Sequence, residues 1–386
     1  MISSSRTLRH AVLLSLIYIA QPYAHAESPP SSSPVNFSTH KALLIGVDGM
    51  QYEKLQEAIQ QGMAPNIAQL SLAKSYTGGV NYTSTRQPTS SGPSWATVLT
   101  GSWINRHQTG ANNGSLRYKA PSLFKQLKVA DPQRRTASII SWDTINKNLA
   151  DEIAQGYIDL PISCDGIDQC VTYKASHELE YGQSDLVLAH FNEPDNTGHD
   201  NGFTDNYQQA IQRVDAQVGQ LLSALERRKE SYPEEDWLVI VAPDHGRRLP
   251  TGKEHGQQTL SEKTTFIAMN KPGNLQLTAP VTDPVNSGFG GLYGFASQAD
   301  ITPTLLSHLG VKPDVGQHTM DGLPLTGALG VRQLTAQAES ALAQVTLNWH
   351  TTDPSGGPLQ IYRDGQAIAT LTDQQNEYVD RDVKTA

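Results

Sequence analysis

Three aspartates and three histidines occupy positions where they could bind metal ions together. Most of them directly follow short apolar segments, and they occur in the patterns D-x-x-x-H, D-H and, further on, E-H-G. Mixed carboxylate and imidazole ligands suit Zn²⁺ better than Ca²⁺ or Mg²⁺, which prefer oxygen alone. Six ligands are too many for one tetrahedral zinc, but they fit two metal ions with three protein ligands each. The predicted ligands are Asp48, Asp195, His199, Asp244, His245 and His255.

A hydroxyl-rich stretch, RQPTSSGPSWATVLTG at residues 86–101, offers a nucleophile. Gly92 and Pro93 permit a turn, and the apolar residues after them could begin a helix. A hydroxyl at the start of a helix would lie beside the partial positive charge of the helix N-terminus. The candidate nucleophiles in this stretch are Thr89, Ser90, Ser91 and Ser94.

The segments that carry these residues predict a parallel sheet covered by helices. Residues 41–49, 184–195 and 236–246 are apolar runs that end in acidic residues, as buried parallel strands would. Between the last two, residues 206–228 have apolar side chains at three- and four-residue steps, which indicates an amphipathic helix. Alternating strands and helices form parallel sheets, in which chemistry gathers at the carboxyl ends of the strands.

Composition and charge argue against nucleic-acid binding as the main function. The chain has 386 residues, of which 17% are charged and 38% hydrophobic, and its formal net charge is −9. An acidic protein gains nothing from attraction to a phosphate backbone. An anionic substrate would therefore need local cations or metal ions to offset the overall repulsion.

The first 26 residues are typical of a signal peptide. Arg6 and Arg9 precede the apolar run AVLLSLIYIA, and AHA at residues 24–26 fits a cleavage site. The run is too short to span a bilayer. We therefore expect cleavage after Ala26 and a periplasmic or secreted protein without a membrane anchor, the alternative being a buried N-terminal helix. Residues 27–38 form a Pro/Ser-rich linker.

The two cysteines suit an exported chain, which meets an oxidising compartment. Cys164 and Cys170 are the only cysteines, and their separation suits a disulfide better than a metal site.

After residue 326 the chain consists of short alternating segments with an Asp-Gly turn at residues 364–365. Residues 327–386 are thus predicted to form part of an all-β sandwich similar to a fibronectin type III module, which takes about 100 residues when complete. Its expected partner is a carbohydrate or a protein.

The motifs, taken in order, resemble those of the alkaline phosphatase superfamily, in its nucleotide pyrophosphatase/phosphodiesterase branch and the related sulfatase-like hydrolases. The resemblance implies an α/β catalytic domain at residues 39–326, with a mostly parallel central sheet and helices on both faces. The matching stretches are LLIGVDGM, APNIAQLSLAKSYTGG, PTSSGPSWATVLTG, NRHQTGANNG, NEPDNTGHD, VAPDHG, KEHG and ADITPTLLSHLGVKPD, followed by MDGLPLTG.

The resemblance also implies a role for each site residue. One zinc would be held by Asp195, His199 and His255. The other would be held by the remaining ligands together with the nucleophile, which falls on Ser91. Asn112, with Asn113 as the alternative, would hold a phosphoryl oxygen. An arginine would bind another; Arg106 is the choice among Arg86, Arg106, Arg247 and Arg248.

Some positions depart from the family patterns. The phosphodiesterase branch usually has Thr where this chain has Ser91, and sulfatases have Arg where it has Trp95. The prediction is an exported two-zinc hydrolase, with other divalent ions as alternatives. It would cleave a small phosphate ester, either a phosphodiester or pyrophosphate or a monoester, through a phospho-Ser91 intermediate. The alternatives are a sulfatase with Ser91 converted to formylglycine and an inactive binding scaffold.

Overall fold

A computed structural model of the chain describes residues 17–20, 39–281, 288–311, 320–339, 343–351, 358–363 and 366–383. These residues form two compact units. The larger contains the described residues from 39 to 327, and the smaller contains 17–20 and those from 328 onward.

Fourteen strands are described, eight of them in the central sheet of the larger unit. They are β1 (Ile17–Ala20), β2 (His40–Val47), β3 (Ser71–Tyr76), β4 (Thr136–Ile140), β5 (Leu160–Ser163), β6 (Leu186–Phe191), β7 (Asp236–Ala242), β8 (Thr264–Met269), β9 (Ala296–Ser297), β10 (Val331–Glu339), β11 (Gln344–Thr351), β12 (Leu359–Arg363), β13 (Gln366–Leu371) and β14 (Glu377–Asp380).

All thirteen α-helices of the described residues belong to the larger unit. They are α1 (Tyr52–Gln60), α2 (Ser91–Thr100), α3 (Ile104–His107), α4 (Leu123–Ala130), α5 (Thr144–Asn148), α6 (Ala150–Ala154), α7 (Asp168–Tyr181), α8 (Asp195–Asn201), α9 (Asp205–Ser231), α10 (Leu260–Lys263), α11 (Leu275–Thr278), α12 (Gly288–Gly291) and α13 (Ile301–His308).

The central sheet has the strand order β5-β4-β6-β2-β7-β8-β3-β9, and only β8 runs antiparallel to its neighbours. Alternate residues of β2, β6 and β7 enter two different apolar cores. One core is shared with α1, α7 and α9, and the other with α2, α4 and α13. The predicted α/β fold, with a mostly parallel sheet covered by helices on both faces, is confirmed.

The register of the three central strands brings their carboxyl ends to one edge. In β2, Val47 pairs with Phe191 of β6, and Gly46 pairs with Ala242 of β7. All three strands are buried almost throughout, which is why their sequences read as continuous apolar runs. The acidic segments that follow them therefore emerge side by side.

The smaller unit contains two three-stranded antiparallel sheets, β10-β11-β14 and β1-β12-β13. Side chains of β11 and β12 form its apolar core, among them Leu347, Trp349 and Ile361. Strand β1 lies within the predicted signal peptide and pairs with β12. Most of the predicted signal peptide, including its cleavage site, and all of the 27–38 linker lie outside the described residues, so export remains a prediction.

Cys164 and Cys170 form a disulfide between the end of β5 and the first turn of α7. Cys164 is buried and packs in the same core as α7 and α9. Among the described residues, none of the helices has the length and apolar character needed to cross a bilayer.

Candidate active site

The first cluster of metal-binding residues lies at the carboxyl ends of β2 and β7. Asp48 follows β2, and Asp244 and His245 follow β7. His245 Nε2 lies 3.5 Å from Asp48 Oδ1 and 3.4 Å from Asp244 Oδ2, and all three side chains are buried. The backbone after Asp48 turns at Gly49 with a φ of +61°, where a Cβ atom would lie 2.3 Å from Asp195 Oδ1. Glycine is therefore required for the two clusters to approach each other.

The donors of this first cluster fit a divalent cation. Asp244 Oδ1 accepts a hydrogen bond from the Gly49 amide, whereas its buried Oδ2 has no hydrogen-bond donor among the described residues. Burial and the neighbouring Asp48 carboxylate raise the pKa of Asp244 well above its usual value. Burial, aided by His255, lowers the pKa of His245 to about 3, so its imidazole is neutral and can act as a ligand. A metal ion would relieve the repulsion between the two carboxylates.

A second cluster consists of Asp195, His199 and His255. Asp195 begins α8 and His199 lies one helical turn later, with its Nε2 3.2 Å from Asp195 Oδ2. His255 Nε2 lies 3.0 Å from His199 Nε2 and 3.8 Å from Asp195 Oδ1. The ring of His255 also stacks on His245, with centroids 3.9 Å apart, so the two clusters are in direct contact.

The charges around Asp195 favour its ionised form. Burial by itself would raise the pKa of Asp195, but the hydrogen bond with His199 and the positive charge of Arg247 hold it below its usual range. The same hydrogen bond raises the pKa of His199. His199 is the most exposed of the six predicted ligands, with 46% of its side chain accessible.

Arg247 contacts the second cluster through Asp195. Its side chain is fully buried, and Nη1 contacts Asp195 Oδ1. Its other nitrogens donate to the carbonyl oxygens of Gly252 and Lys253, the latter at 2.8 Å. This arginine thus connects α8 to the loop that carries His255. Arg247 was one of four arginines considered for binding substrate oxygens, and the structure encloses it among protein partners instead.

Ser91 is the first residue of α2 and faces the first cluster. Its Oγ lies 3.4 Å from Asp48 Oδ1 and 3.4 Å from His245 Nε2. Two of the other candidate hydroxyls have structural partners: Thr89 Oγ1 donates to Gln257 O at 2.6 Å, and Ser94 Oγ lies 3.5 Å from Thr77 Oγ1. Among the hydroxyls considered, the structure brings Ser91 into contact with predicted metal ligands.

Asn112 lies beside the nucleophile. Its Oδ1 accepts a hydrogen bond from the Gly92 amide at 2.7 Å, so its donor end, Nδ2, is directed elsewhere. A Cβ atom on Gly92 would lie 2.3 Å from Ala111 O, so only glycine permits this approach. Asn113 Oδ1 instead accepts from Ser115 N within its own turn. This contact favours Asn112 over Asn113 for holding a phosphoryl oxygen.

The structure places Arg106 in a different environment from the six ligands. Arg106 Nε lies 3.0 Å from Asp321 Oδ1, and Asp321 Oδ2 accepts from the Trp103 amide at 2.7 Å. The ion pair joins α3 to the segment around Asp321. It gives Arg106 a structural role, and its predicted contact with substrate stays a prediction.

Two residues at the site lie outside the predicted set of ligands, although His190 was the alternative ligand if His255 is not one. His190, near the end of β6, is fully buried, and its Nε2 lies 3.3 Å from Asp48 Oδ2. Trp95 Nε1 donates to the same oxygen at 2.9 Å. The two rings meet edge to face, with centroids 4.7 Å apart. The Trp95 ring packs closely over Gly46, where a Cβ atom would lie 2.4 Å from Cη2.

The two carboxylate oxygens of Asp48 consequently have different partners. Oδ2 has donors on both Trp95 and His190, whereas Oδ1 faces Ser91 and His245. A buried histidine in an apolar strand and a tryptophan in the serine motif were visible in the sequence, but the contact between them depends on how α2 packs against β2 and β6.

Comparisons with known proteins agree with this architecture. Residues 118–275 match the family described as type I phosphodiesterase/nucleotide pyrophosphatase. A search of curated proteins gives no significant match. Among solved structures, a 2-O GAG sulfatase has a TM-score of 0.52 and 12% identity, and the similarity covers 88% of this chain and 84% of that one. The structure of Ps i-CgsB in complex with k-i-k-neocarrahexaose has a TM-score of 0.50 and 15% identity, covering 83% and 85%.

Murine ectonucleotide pyrophosphatase/phosphodiesterase 5 is also similar, with a TM-score of 0.46, 14% identity and coverage of 75% of this chain and 97% of that one. The family match and the fold shared with the sulfatase confirm the predicted resemblance to the alkaline phosphatase superfamily, in its phosphodiesterase and sulfatase-like branch.

Proposed function

We propose that this protein hydrolyses phosphate esters and that Ser91 is its nucleophile. One observation carries the proposal: Ser91 Oγ lies at the start of a buried helix, 3.4 Å from two predicted metal ligands, Asp48 and His245. A hydroxyl nucleophile beside metal ligands at a helix N-terminus suits an anionic phosphoryl group.

Two zinc ions would serve this chemistry. Asp48, Asp244 and His245 would hold one, and Asp195, His199 and His255 the other. Divalent ions supply Lewis acidity, which lowers the pKa of a bound hydroxyl and polarises phosphoryl oxygens. The buried Asp244 Oδ2 without a hydrogen-bond donor and the neutral His245 support the assignment of the first group. Contact between the rings of His245 and His255 places the second group next to it.

Ser91, Asp48 and Asn112 would position the reacting groups. The hydrogen bond from Ser91 Oγ to Asp48 Oδ1 holds the hydroxyl in place. Attack of Oγ on phosphorus forms the O–P bond as the bond to the leaving oxygen breaks, and the proton lost by the hydroxyl ends on the leaving alcohol. Water then attacks phosphorus in a second displacement, which releases phosphate and returns a proton to Ser91. The start of α2 and the Asn112 Nδ2 donor favour the negative charge on the non-bridging oxygens.

An activity panel tests the proposal. The purified protein would be assayed with an aryl phosphate monoester, an aryl phosphodiester and an aryl sulfate, with and without a chelator. We expect chelator-sensitive hydrolysis of a phosphate ester and its loss in Ser91→Ala. Ser90→Ala is the matched control, because Ser90 precedes the helix without a side-chain capping bond. Full activity of Ser91→Ala, or hydrolysis unaffected by chelation, would contradict the proposal.

A sulfatase is the second candidate, because the protein shares its fold with a sulfatase. Such an enzyme would need Ser91 converted to formylglycine. Trp95 argues against this role, since it occupies the position of the sulfatase arginine and its buried indole donates to Asp48. Mass spectrometry of the peptide that contains Ser91 decides: formylglycine is lighter than serine by two hydrogen atoms. An unmodified serine together with phosphate-ester turnover would exclude the sulfatase.

We also propose that the protein is exported to the periplasm or secreted. The N-terminal charge and hydropathy pattern supports this, and the disulfide suits an oxidising compartment. N-terminal sequencing of protein from the fractionated host should find Glu27 first. Recovery of an intact N-terminus from the cytoplasm would contradict export.

A further inference from the structure

A cavity of about 570 Å³ opens in the larger unit, and none of the six proposed metal ligands lines it. Its walls include large apolar side chains from several segments, among them Phe203, Leu249, Leu260, Leu292 and Phe295. Leu249 and Leu260 are 62% and 49% exposed, unusually high values for leucine. Exposed apolar side chains that converge on one concave surface mark a binding site more often than scattered ones do.

One cation in this cavity differs from the others. The Lys74 ammonium lies 5.4 Å from the centroid of the Tyr52 ring and 5.7 Å from that of Phe295. Among the described residues, no carboxylate lies within ion-pair distance of it. The ammonium is therefore held against aromatic faces, which attract a cation but compensate only part of its lost hydration.

The other charged groups of the cavity have partners. Lys54 Nζ lies 2.8 Å from Glu57 Oε2, and Arg248 Nη2 lies 3.7 Å from the Glu254 carboxylate outside the lining. Glu53 Oε2 accepts a hydrogen bond from Gln51 Nε2 at 2.6 Å. Lys74 is thus the cation here that an incoming anion could neutralise without breaking an existing ion pair.

We infer that this cavity binds a small amphipathic anion, with its apolar body against the leucine and phenylalanine walls and its anionic group on Lys74. The volume lies within the usual range for small-molecule sites, about 300–1,000 Å³. A neutral ligand of the same shape would bury the Lys74 ammonium further without a counter-charge, which costs free energy. A compact hydrophilic anion would leave the apolar walls in water. An apolar body joined to one anionic group satisfies both parts of the site.

Two fluorescent probes of nearly equal shape test this inference. 8-Anilinonaphthalene-1-sulfonate carries an anion on an apolar body, and N-phenyl-1-naphthylamine is the same body without the sulfonate. We expect saturable binding of one sulfonate probe per folded chain. Lys74→Met, which keeps the aliphatic stem, should weaken it by about 10- to 100-fold, the equivalent of one charge-assisted hydrogen bond. The neutral probe should change by less than about threefold, because its apolar contacts remain.

Lys54→Met is the matched control, since it removes a lysine from the same cavity that already has a carboxylate partner. Circular dichroism and melting curves establish that each variant is folded. Leu260→Ala, which shortens a wall residue, should weaken both probes. The inference is overturned if Lys74→Met binds the sulfonate probe like the wild type, if Lys54→Met has the same effect as Lys74→Met, or if binding does not saturate.

Discussion

Replacing His190 by phenylalanine would test whether the outer contacts of Asp48 control metal binding. The substitution keeps an aromatic ring of similar size against Trp95 but removes the Nε2 donor, which lies 3.3 Å from Asp48 Oδ2. The buried His190 Nδ1 has no hydrogen-bond partner among the described residues, so its loss should cost little. The perturbation is therefore confined to one hydrogen bond on a proposed metal ligand.

The length of this hydrogen bond sets the expected size of the effect. A hydrogen bond to a charged group contributes about 1.5–3 kcal/mol, and 3.3 Å is long for such a bond. We therefore expect a loss of about 1.5 kcal/mol, or roughly tenfold in metal affinity. This lies at the lower end of the 10–100-fold range, approximately, that is typical when an outer partner of a metal ligand is removed. Trp95 retains its own bond to Asp48, which limits the loss.

Competition with a chromophoric zinc chelator measures the affinity directly, independently of turnover. His190→Gln, which retains a side-chain N–H donor, should recover part of the affinity. His177→Phe serves as the control, because it makes the same change at an exposed histidine on α7. If folded His190→Phe binds both zinc ions as tightly as the wild type, then Asp48 does not depend on His190, or Asp48 is not a metal ligand.

The remaining predictions concern three other parts of the chain. His255→Ala should fold, hold about one zinc ion instead of two by elemental analysis, and lose roughly 10²–10³ in rate; two ions with near-normal turnover would show that the ligand lies elsewhere. Burial, aided by the charge of Arg86, lowers the pKa of Lys263 to about 7. Above pH 7 the unfolded chain then binds more protons than the folded one, so folding becomes more favourable as the pH rises. In urea titrations, the free energy of unfolding of the wild type relative to Lys263→Met should rise by about 2 kcal/mol between pH 6 and pH 9. If the difference in free energy between the two proteins does not change with pH, Lys263 keeps its ordinary pKa. Removing the residues after 330 should leave turnover unchanged, since the larger unit ends at residue 327; a folded but inactive truncated chain would refute this.

The sequence predicted the centre of the fold because β2, β6 and β7 are buried on both faces. Their continuous apolar runs and the acidic residues after them follow from that position. The edge of the sheet beyond β8 was harder to predict: β3 is only partly buried and β9 has two residues, so neither has a clear periodic pattern. The α9 helix, with its long apolar stripe, was found because its pattern persists over many turns.

The ligand set and the nucleophile came from motif order, whereas the residues around them could not be found that way. The contacts of Trp95 and His190 with Asp48 join residues far apart in the chain, and they require the backbone at Gly46 to lie against an indole ring. Arg247 was one of four arginines near the motifs, of which Arg106 was the one predicted to bind substrate. Burial and three protein partners give Arg247 a structural role that its position after the D-H pair did not reveal.

The loop that carries His255 is hydrogen-bonded to the loop that precedes Ser91. His255 Nδ1 lies 3.0 Å from Thr89 O, and the Thr89 hydroxyl contacts both Gln257 O and the Gly256 amide. His255 follows His245 by only ten positions, and Arg247 is bonded to Gly252 and Lys253 within that span. The segment from His245 to His255 is consequently held at both ends, and an inserted residue would displace either His255 or Thr89. Related chains that lengthen this span should therefore also have altered residues at the positions of Gln87, Pro88 and Thr89, so the two regions would evolve as a pair.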